Sequence, residues 1–494
     1  MCIRFCTRTG IATLAVLLAA SCAQNPVTGK SDFVIVSEEQ ELRMGRAYDQ
    51  QVKKESPIYD HKTGDDPGLA AYVEGLGQKL ARQSHRAGLA YRFTVLDSPD
   101  VNAFALPGGF IYITRGILAY LNSEAELAAV IGHEIGHVTA RHSVRQISAE
   151  QGASVGLTIA SIFIPGLRNQ AVGNLSNIAT GALLSGYGRD HELEADRLGA
   201  EYLARTGYPP QAMISVIGVL KNQETFDAQL AREENRPPRV YHGLFASHPD
   251  NDTRLKEVVA EASRVASGGS VVNATDHRDR FLSKVDGAVY ADNTAQGVVR
   301  GNTFYHSGLG LVMQFAPGWR VQNRPDRLRA TAPGGEATID ILLDTPIKGA
   351  PPQELLKRKI AIDGEVDTAT VNGHAAAIAN VRGANVRAGS IYLGNGDQAK
   401  AFVLVGQTKT IEQFRRHVDA FNATFKTMRA FAETDRKAAE PLRIRIVTAT
   451  PNLRYADLAK NSPLGRHAEQ QLRLLNAHYP AGEPVAGQKL KVVE

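Results

Sequence analysis

The chain has 494 residues, of which 43% are hydrophobic and 22% are charged; this balance is ordinary for soluble globular proteins, excludes wholesale disorder and leaves room for two or three domains. The formal net charge is +5, and without a lysine- or arginine-dense stripe the sequence argues against nucleic acid as a partner. The only cysteines are Cys2, Cys6 and Cys22, which excludes a disulfide framework and a catalytic thiol in the folded domains.

Residues 1–21 have the pattern of a bacterial lipoprotein signal peptide. Two arginines supply positive charge, the stretch from Ile11 to Ala20 supplies an apolar run too short to span a bilayer, and small residues precede Cys22. We expect cleavage before Cys22 and attachment of lipid to this cysteine, which anchors the mature chain to a membrane. Ala19 stands where leucine or valine is more usual. Ordinary cleavage after Ala23, which releases a protein without an anchor, is the alternative.

A long helical stretch and a linker are predicted next. Residues 37–265 are expected to be mostly helical, because N-cap signals at Ser37 and Ser123 precede helical sequence. A short β section from Leu89 to Ile113 interrupts these helices. We expect a linker over residues 266–300, because this stretch begins with a run of glycine, serine and alanine.

Two further folded stretches follow the linker. Residues 300–430 alternate apolar and polar side chains in the manner of strands, with helical sequence near 352–361 and 410–430. We predict an α+β domain there, with Trp319 in its core. Residues 441–494 are predicted to form a small unit with β-α-α-β order.

The stretch AAVIGHEIGHVTARHS, residues 128–143, predicts a buried helix that carries two histidines. The i, i+4 spacing places His133 and His137 on one face, a turn apart, where both imidazoles can reach one metal ion. Glu134 is rotated by about 100° from His133, so we expect it to flank the ion and take a proton from a zinc-activated water. Two satisfied core histidines are the alternative. His142 is predicted to be a surface or helix-packing residue.

A second helix, GRDHELEADRLGAEYLA over residues 188–204, is predicted to supply the third ligand. Glu192 and Asp196 share a face that should turn inward, and a buried carboxylate needs a partner such as a metal ion. We expect Glu192 to bind the metal and Asp196 to orient a ligating histidine. His191 is the rival third ligand. The remaining charges are expected to be solvated: Glu194, Arg197 and Glu201.

The order of these two motifs, HExxH followed some fifty residues later by ExxAD, resembles the gluzincin metallopeptidases of family M48. That family includes the HtpX-like proteases and the bacterial relatives of the CAAX prenyl endopeptidase. Three flanking stretches resemble its exported lipoprotein branch: NPVTGKS after Cys22, NAFALPGGFIYITRGIL at 102–118, and ASHPDNDTR at 246–254. The resemblance covers about residues 24–265.

The resemblance implies a mainly α, zincin-type catalytic domain that holds one Zn²⁺ per chain. The ligands would be His133, His137 and Glu192, with Glu134 as general base and acid. The implied function is a zinc-dependent endopeptidase that cleaves misfolded or unassembled envelope proteins. Its implied location is the periplasm, with a lipid anchor in the outer membrane of a Gram-negative bacterium. The alternative is a non-proteolytic outer-membrane assembly factor or chaperone, with the same fold and a blocked zinc position.

Several supporting elements around the site are expected as well. Resemblance places His248 near the active site, where its imidazole could contact zinc or substrate. A loop histidine beside a proline, with no role in the site, is the alternative. The group that stabilises the oxyanion is left open among His248, Arg254 and Tyr187. A strand from Phe110 to Thr114 is expected near the site, where an extended substrate could pair with it by β-addition.

Two stretches leave their roles open. Residues 152–166 are apolar but too short to span a membrane. We expect a helix packed over the catalytic pair, with membrane contact or substrate gating as the alternative.

Residues 441–494 weakly resemble a LysM module, a type that binds peptidoglycan glycans. Thr450-Pro451-Asn452 stand where such modules have Gly-Asp-Thr. Contact with peptidoglycan, docking against the peptidase and simple packing are therefore all open.

Overall fold

The computed structural model describes residues 22–29, 31–62, 68–153, 187–234, 257, 274–323, 327–360, 362, 365–381, 384–394 and 399–494. These residues fall into two compact units. The first comprises the described residues within 1–225, 240–288 and 443–494, and the second those within 226–239 and 289–442. Among the described ranges, no helix has both the length and the apolar character that crossing a membrane requires.

Helices and small sheets together make up the part of the chain before residue 288. Its elements are β1 (Cys22–Gln24), β2 (Ser31–Phe33), α1 (Glu38–Glu55), α2 (Leu69–Ala81), β3 (Arg92–Leu96), β4 (Ala103–Leu106), β5 (Phe110–Thr114), α3 (Arg115–Tyr120), α4 (Glu124–Thr139), α5 (His142–Ala153), α6 (Arg189–Thr206), α7 (Ala212–Glu233) and α8 (Ala274–Val285). The described chain is thus an α+β mixture, in which helices are joined by short sheets.

Local sequence explains where two of these helices begin. Ser37 and Gln40 form a capping box at the start of α1, in which each side chain accepts a hydrogen bond from the other residue's N–H. At the start of α4, the Ser123 hydroxyl accepts a hydrogen bond from the N–H of Glu126. Both predicted caps are confirmed, and the second defines the first turn of the helix that carries the HExxH motif.

The predicted β section is a three-stranded sheet in the order β3-β5-β4. β5 pairs in parallel with β3 and antiparallel with β4, so neighbouring strands occupy both of its sides. The prediction that Phe110–Thr114 pairs with an extended substrate is wrong for this reason. β4 instead lies at an edge of this sheet, and α4 packs against β4.

A seven-stranded antiparallel sheet is the centre of the second unit, and its order is β10-β11-β12-β16-β15-β14-β13. A four-stranded sheet has the order β17-β9-β8-β7. The elements of this part of the chain are β6 (Val289–Tyr290), β7 (Val298–Arg300), β8 (Thr303–His306), β9 (Leu311–Gln314), β10 (Arg320–Asn323), β11 (Leu328–Thr331), β12 (Ala337–Asp344), α9 (Pro352–Ile360), β13 (Asp367–Val371), β14 (His374–Asn380), β15 (Val386–Leu393), β16 (Lys400–Thr408), α10 (Ile411–Lys426) and β17 (Arg429–Ala430).

Two hydrophobic cores flank the large sheet, because alternate residues of each strand face opposite sides. Trp319 and Phe421 of α10 belong to one core, and Leu355 of α9 belongs to the other. The helices predicted near 352–361 and 410–430 are confirmed, as is the placement of Trp319 in a core.

The end of the chain has the predicted β-α-α-β order, with β18 (Leu442–Thr448), α11 (Tyr455–Lys460), α12 (Ala468–Leu475) and β19 (Lys489–Val493). β18 and β19 pair antiparallel. From Arg443 onward these elements belong to the first compact unit instead of standing alone. Lys491 shows one reason: its buried Nζ donates hydrogen bonds to the carbonyl oxygens of Ala119 and Leu121, each at 2.6 Å. Likeness to a LysM module stays a prediction.

The linker prediction is wrong for residues 274–285, which form α8. Phe281 and Val285 lie one turn apart and are both buried, so one face of α8 packs inward. Arg278 donates a hydrogen bond to the carbonyl oxygen of Asn122. The apolar stripe of α8 is only three turns long and follows a run rich in glycine and serine. Because the linker was predicted from the composition of that run, the short helix after it was missed.

We expect Lys491→Met to lower the free energy of unfolding by about 3 kcal/mol, because two buried carbonyl oxygens lose their shared donor. Lys489→Met is the matched control on the same strand, since Lys489 pairs with Asp279 at 2.9 Å with both side chains over 40% exposed. The control should change stability by less than about 1 kcal/mol. Chemical denaturation of both variants provides the measurement, and equal losses would show that the buried ammonium has no special role.

Candidate metal centre

Close packing of α4 against α6 brings the two motifs together. A Cβ built on Gly136 would lie 2.8 Å from the carbonyl oxygen of Ala195, and a Cβ built on Gly199 would lie 3.0 Å from the backbone nitrogen of His133. The two backbones can approach this closely only because glycine has no side chain at these positions. The glycines therefore set the distance between the HExxH face of α4 and Glu192 on α6.

Three buried side chains converge between the helices: His133, His137 and Glu192. The Nε2 atoms of the two histidines are 2.9 Å apart. The Glu192 carboxylate oxygens lie 3.6 Å from His133 Nε2 and 3.5 Å from His137 Nε2. Ligand atoms of a tetrahedral zinc ion, with bonds of about 2.0–2.1 Å, are separated by roughly 3.4 Å. The cluster is thus a possible His-His-Glu metal site.

Asp196 lies against the outer side of His133. Its Oδ1 is 2.8 Å from His133 Nδ1, and the Asp196 side chain is fully buried. Because an ionised carboxylate can only accept hydrogen bonds, Nδ1 of His133 carries the hydrogen and Nε2 presents a lone pair to the cluster. Sequence reasoning expected this contact, and the structure places Asp196 at that position.

His137 has a different set of neighbours. Its Nδ1 lies 2.8 Å from Nδ1 of His142, and Nε2 of His142 lies 3.0 Å from Oε2 of Glu194. Arg145 Nη1 donates to the same Glu194 oxygen at 2.8 Å. The ring of Tyr187 stacks on His137, with centroids 4.1 Å apart. His137 is therefore enclosed by two rings and linked to an ion pair.

Two of the predictions about these neighbours need correction. Of the two places predicted for His142, surface or helix packing, the surface is excluded, because His142 is fully buried and hydrogen-bonded at both ring nitrogens. Burial lowers the pKa of His142 to about 4. Glu194 is not solvated, since its side chain is only 14% exposed. Burial alone would raise the pKa of Glu194, but hydrogen bonds from His142 and Arg145 lower it to about 2.

Helix geometry explains why sequence reasoning missed His142. On an uninterrupted helix, a residue five positions after His137 points about 140° away from it. α4 instead ends at Thr139, and Arg141 adopts a left-handed backbone conformation with φ of 55°. The buried Glu41 carboxylate accepts a hydrogen bond from Arg141 Nε at 2.8 Å. This turn directs His142 back toward His137.

Glu134 lies next to His133 on α4 and is fully buried. Burial is the largest cause that raises the pKa of the Tyr187 hydroxyl. The negative charges of Glu134 and Glu192 raise this pKa further. Both carboxylates therefore act electrostatically on the hydroxyl of Tyr187, the residue whose ring stacks on His137. Glu134 is not a member of the three-residue cluster, as its rotation around the helix predicted.

Of the remaining candidate site residues, some make contacts outside the cluster, and others lie in parts of the chain that the structure does not describe. His191, the rival third ligand, is outside the cluster and stacks on His142 with centroids 4.4 Å apart. The Tyr187 hydroxyl lies 2.7 Å from Ser143 Oγ. His248 and Arg254 lie outside the described residues, as do residues 1–21 and most of the apolar stretch 152–166.

Comparison with known proteins adds a family to this geometry. The family model described as Peptidase family M48 matches residues 67–262. A β-barrel assembly-enhancing protease of Escherichia coli (strain K12) is 30% identical over 283 residues, which are 56% of this chain and 53% of that protein. Metalloprotease YcaL of the same strain is 29% identical over 201 residues, 40% of this chain and 70% of YcaL.

A mitochondrial relative matches a shorter segment. Mitochondrial metalloendopeptidase OMA1 of Arabidopsis thaliana is 36% identical over 137 residues, 28% of this chain and 27% of that protein. The chain spans about half the length of the β-barrel assembly-enhancing proteases that it matches. The HExxH motif and the ExxAD motif both fall inside the matched segment 67–262. Residues 67–262 therefore carry a domain of Peptidase family M48.

Proposed function

We propose that this chain is a zinc-dependent endopeptidase that cleaves misfolded or unassembled envelope proteins. The observation that carries the proposal is the convergence of His133, His137 and Glu192 in a buried cluster, with Glu134 beside them on the same helix. The names of its relatives support a protease connected with the assembly of β-barrel proteins.

The donor set fits zinc. Two imidazole nitrogens and a carboxylate oxygen are the protein ligands of one class of catalytic zinc sites, in which a fourth position remains for water. The two Nε2 atoms lie 2.9 Å apart, Oε1 of Glu192 lies 3.5 Å from His137 Nε2, and Oε2 of Glu192 lies 3.6 Å from His133 Nε2. A cation among these acceptors offsets the cost of burying the carboxylate. We therefore infer one Zn²⁺ per chain, held by His133, His137 and Glu192.

When bound, zinc supplies Lewis acidity and lowers the pKa of a water molecule toward neutrality. Glu134 accepts a proton from the attacking water and later delivers it to the leaving amine. Its burial keeps the carboxylate away from bulk solvent. Asp196 holds the ring of His133 through Nδ1, so that Nε2 stays directed at the cluster.

Substrate is proposed to bind at β4. This strand is at an edge of the sheet β3-β5-β4, and it packs against the helix that carries Glu134. An extended peptide that adds to β4 would be held by backbone hydrogen bonds, a mode with little dependence on sequence. Such binding suits a protease whose substrates are recognised by being unfolded.

We place the protein in the periplasm of a Gram-negative bacterium, lipid-anchored to the outer membrane through Cys22. The support is the sequence of the first 22 residues and the names of the β-barrel assembly-enhancing relatives. Contact between residues 441–494 and peptidoglycan is a further proposal, supported only by their β-α-α-β order.

Replacement of the lipidation site is expected to release the protein from the membrane. Cys22→Ser should leave the exported chain in the soluble fraction or keep its signal peptide uncleaved, because serine offers no thiol for lipid attachment. Fractionation followed by mass measurement of the N-terminus separates the two results. A correctly exported Cys22→Ser chain that remains in the outer membrane would exclude lipid at Cys22 as the anchor.

Removal and return of the metal test the proposed activity. The purified chain should contain one zinc and cleave casein, lose both with a chelator, and regain both with one equivalent of Zn²⁺, because three protein ligands and one water complete a catalytic site. Zinc analysis and fragment mass spectra are the measurements. Full cleavage by the metal-free chain would contradict a metal mechanism. A zinc-loaded chain that suppresses aggregation without cleaving would favour the assembly-factor alternative.

A further inference from the structure

A row of hydrogen bonds leads away from His137 on the side opposite the cluster. It runs from His137 Nδ1 to His142 Nδ1 at 2.8 Å, and from His142 Nε2 to Glu194 Oε2 at 3.0 Å. It ends where Arg145 Nη1 donates to the same oxygen at 2.8 Å. We propose that His142 is a positioning residue, which fixes the tautomer of His137 so that its Nε2 presents a lone pair to the metal.

Donor and acceptor accounting gives the direction of each bond. Glu194 accepts from the Arg145 guanidinium, so its carboxylate is ionised and can only accept from His142. Nε2 of His142 must then carry the hydrogen. A neutral imidazole carries only one, so Nδ1 of His142 is an acceptor and Nδ1 of His137 must be the donor. The remaining nitrogen of His137, Nε2, is left as a lone pair toward the cluster.

This arrangement differs from the support of the other ligand histidine. His133 donates directly to the carboxylate of Asp196 at 2.8 Å, whereas His137 reaches the carboxylate of Glu194 only through a second imidazole. Both routes end in an ionised carboxylate, and both leave Nε2 as the acceptor. The metal site thus has two separate supports, one built from α6 alone and one from α5 and α6.

Burial makes His142 more than a packing residue. Its side chain is fully enclosed, it stacks on His191, and both of its nitrogens are hydrogen-bonded. An apolar ring of similar size would fill the same volume but would not accept the hydrogen bond from Nδ1–H of His137. The His137 ring would then lose the contact that fixes its orientation. The chemical identity of position 142, and not only its shape, should therefore control metal affinity.

Two substitutions separate shape from hydrogen bonding. His142→Phe retains a ring but removes the acceptor, and His142→Asn retains an acceptor oxygen near the position of Nδ1. Tyr202→Phe is the matched control: Tyr202 is buried on the same helix pair and bonds Thr139 and His85 through its hydroxyl. Its hydroxyl bonds go to neither a ligand nor Glu194.

Zinc affinity, measured by competition with a chromogenic chelator, is the first readout. His142→Phe should weaken binding by about 10- to 100-fold, the usual effect of removing an outer partner of a ligand. His142→Asn should recover most of that loss, and Tyr202→Phe should bind zinc like the parent chain. Thermal unfolding of the metal-free variants shows whether folding differs among them. Parent-like affinity in His142→Phe, or equal losses in His142→Phe and His142→Asn, would overturn the proposal.

The tautomers provide a second readout that needs no variant to fold. In the ¹⁵N-histidine-labelled parent chain, NMR should show His137 protonated at Nδ1 and His142 protonated at Nε2. The opposite assignment would overturn the proposal. The inference rests on the proposed metal site, but the two can fail separately. A parent chain that takes up no zinc contradicts the proposed function, whereas a zinc-binding chain with the wrong tautomers contradicts only the role of His142.

Discussion

Glu134→Gln is expected to reduce peptide hydrolysis by a factor of about 10²–10⁴ while leaving the zinc content unchanged. Glutamine has nearly the same shape as glutamate, so the fully buried site should accept it without a change of packing. An amide cannot take the proton from the attacking water, however, and cannot return it to the leaving amine. The loss should therefore fall on kcat, with little change in substrate binding.

Glu201→Gln on α6 is the matched control, because it makes the same chemical change at a partly exposed residue that pairs with Arg205. Cleavage of casein by the zinc-loaded variants, with metal content measured on the same samples, tests the prediction. A chain with Glu134→Gln should also hold an unfolded substrate without degrading it. Cleavage at the parent rate, with zinc in place, would remove Glu134 from the mechanism.

The placement of the candidate ligands could be predicted because it depends on helix geometry alone. Residues four apart on a helix face the same side, which brings His133 beside His137 and Asp196 one turn after Glu192. Any fold that packs these two faces together produces the cluster. The glycines in the interface, such as Gly136 and Gly199, were a further signal in the sequence that the helices approach closely.

What could not be predicted depends on contacts between distant parts of the chain. The position of His142 follows from a left-handed turn at Arg141, where Glu41, one hundred residues earlier, bonds the arginine. In the three-stranded sheet, β5 is the central strand and β3 and β4 are the edges. Local alternation of apolar and polar residues does not encode this order. The attachment of the last fifty residues to the first unit likewise depends on Lys491 reaching the carbonyl oxygens at the C-terminal end of α3.

Substitution of the acidic residues of the site is expected to weaken zinc binding to different degrees, according to what each carboxylate contacts. Glu192→Gln should weaken zinc binding the most, because a neutral amide is a poorer ligand than a carboxylate and the Glu192 oxygens face both histidine Nε2 atoms. Asp196→Asn should weaken binding by about 10- to 100-fold, since the amide can still contact His133 Nδ1 but no longer carries charge. Glu134→Gln should retain zinc.

A graded series of chelator concentrations, with zinc occupancy measured for all three variants and for His137→Ala, tests this order. His137→Ala should lose zinc at the lowest chelator concentration, together with or just before Glu192→Gln, because each removes one of the three proposed protein ligands. Asp196→Asn should follow, since His133 keeps its ring in place but loses the carboxylate that fixes its tautomer. If Glu134→Gln empties the site while Glu192→Gln leaves it full, the two carboxylates have exchanged roles, because the residue that binds the ion cannot also be the one that takes the proton from water.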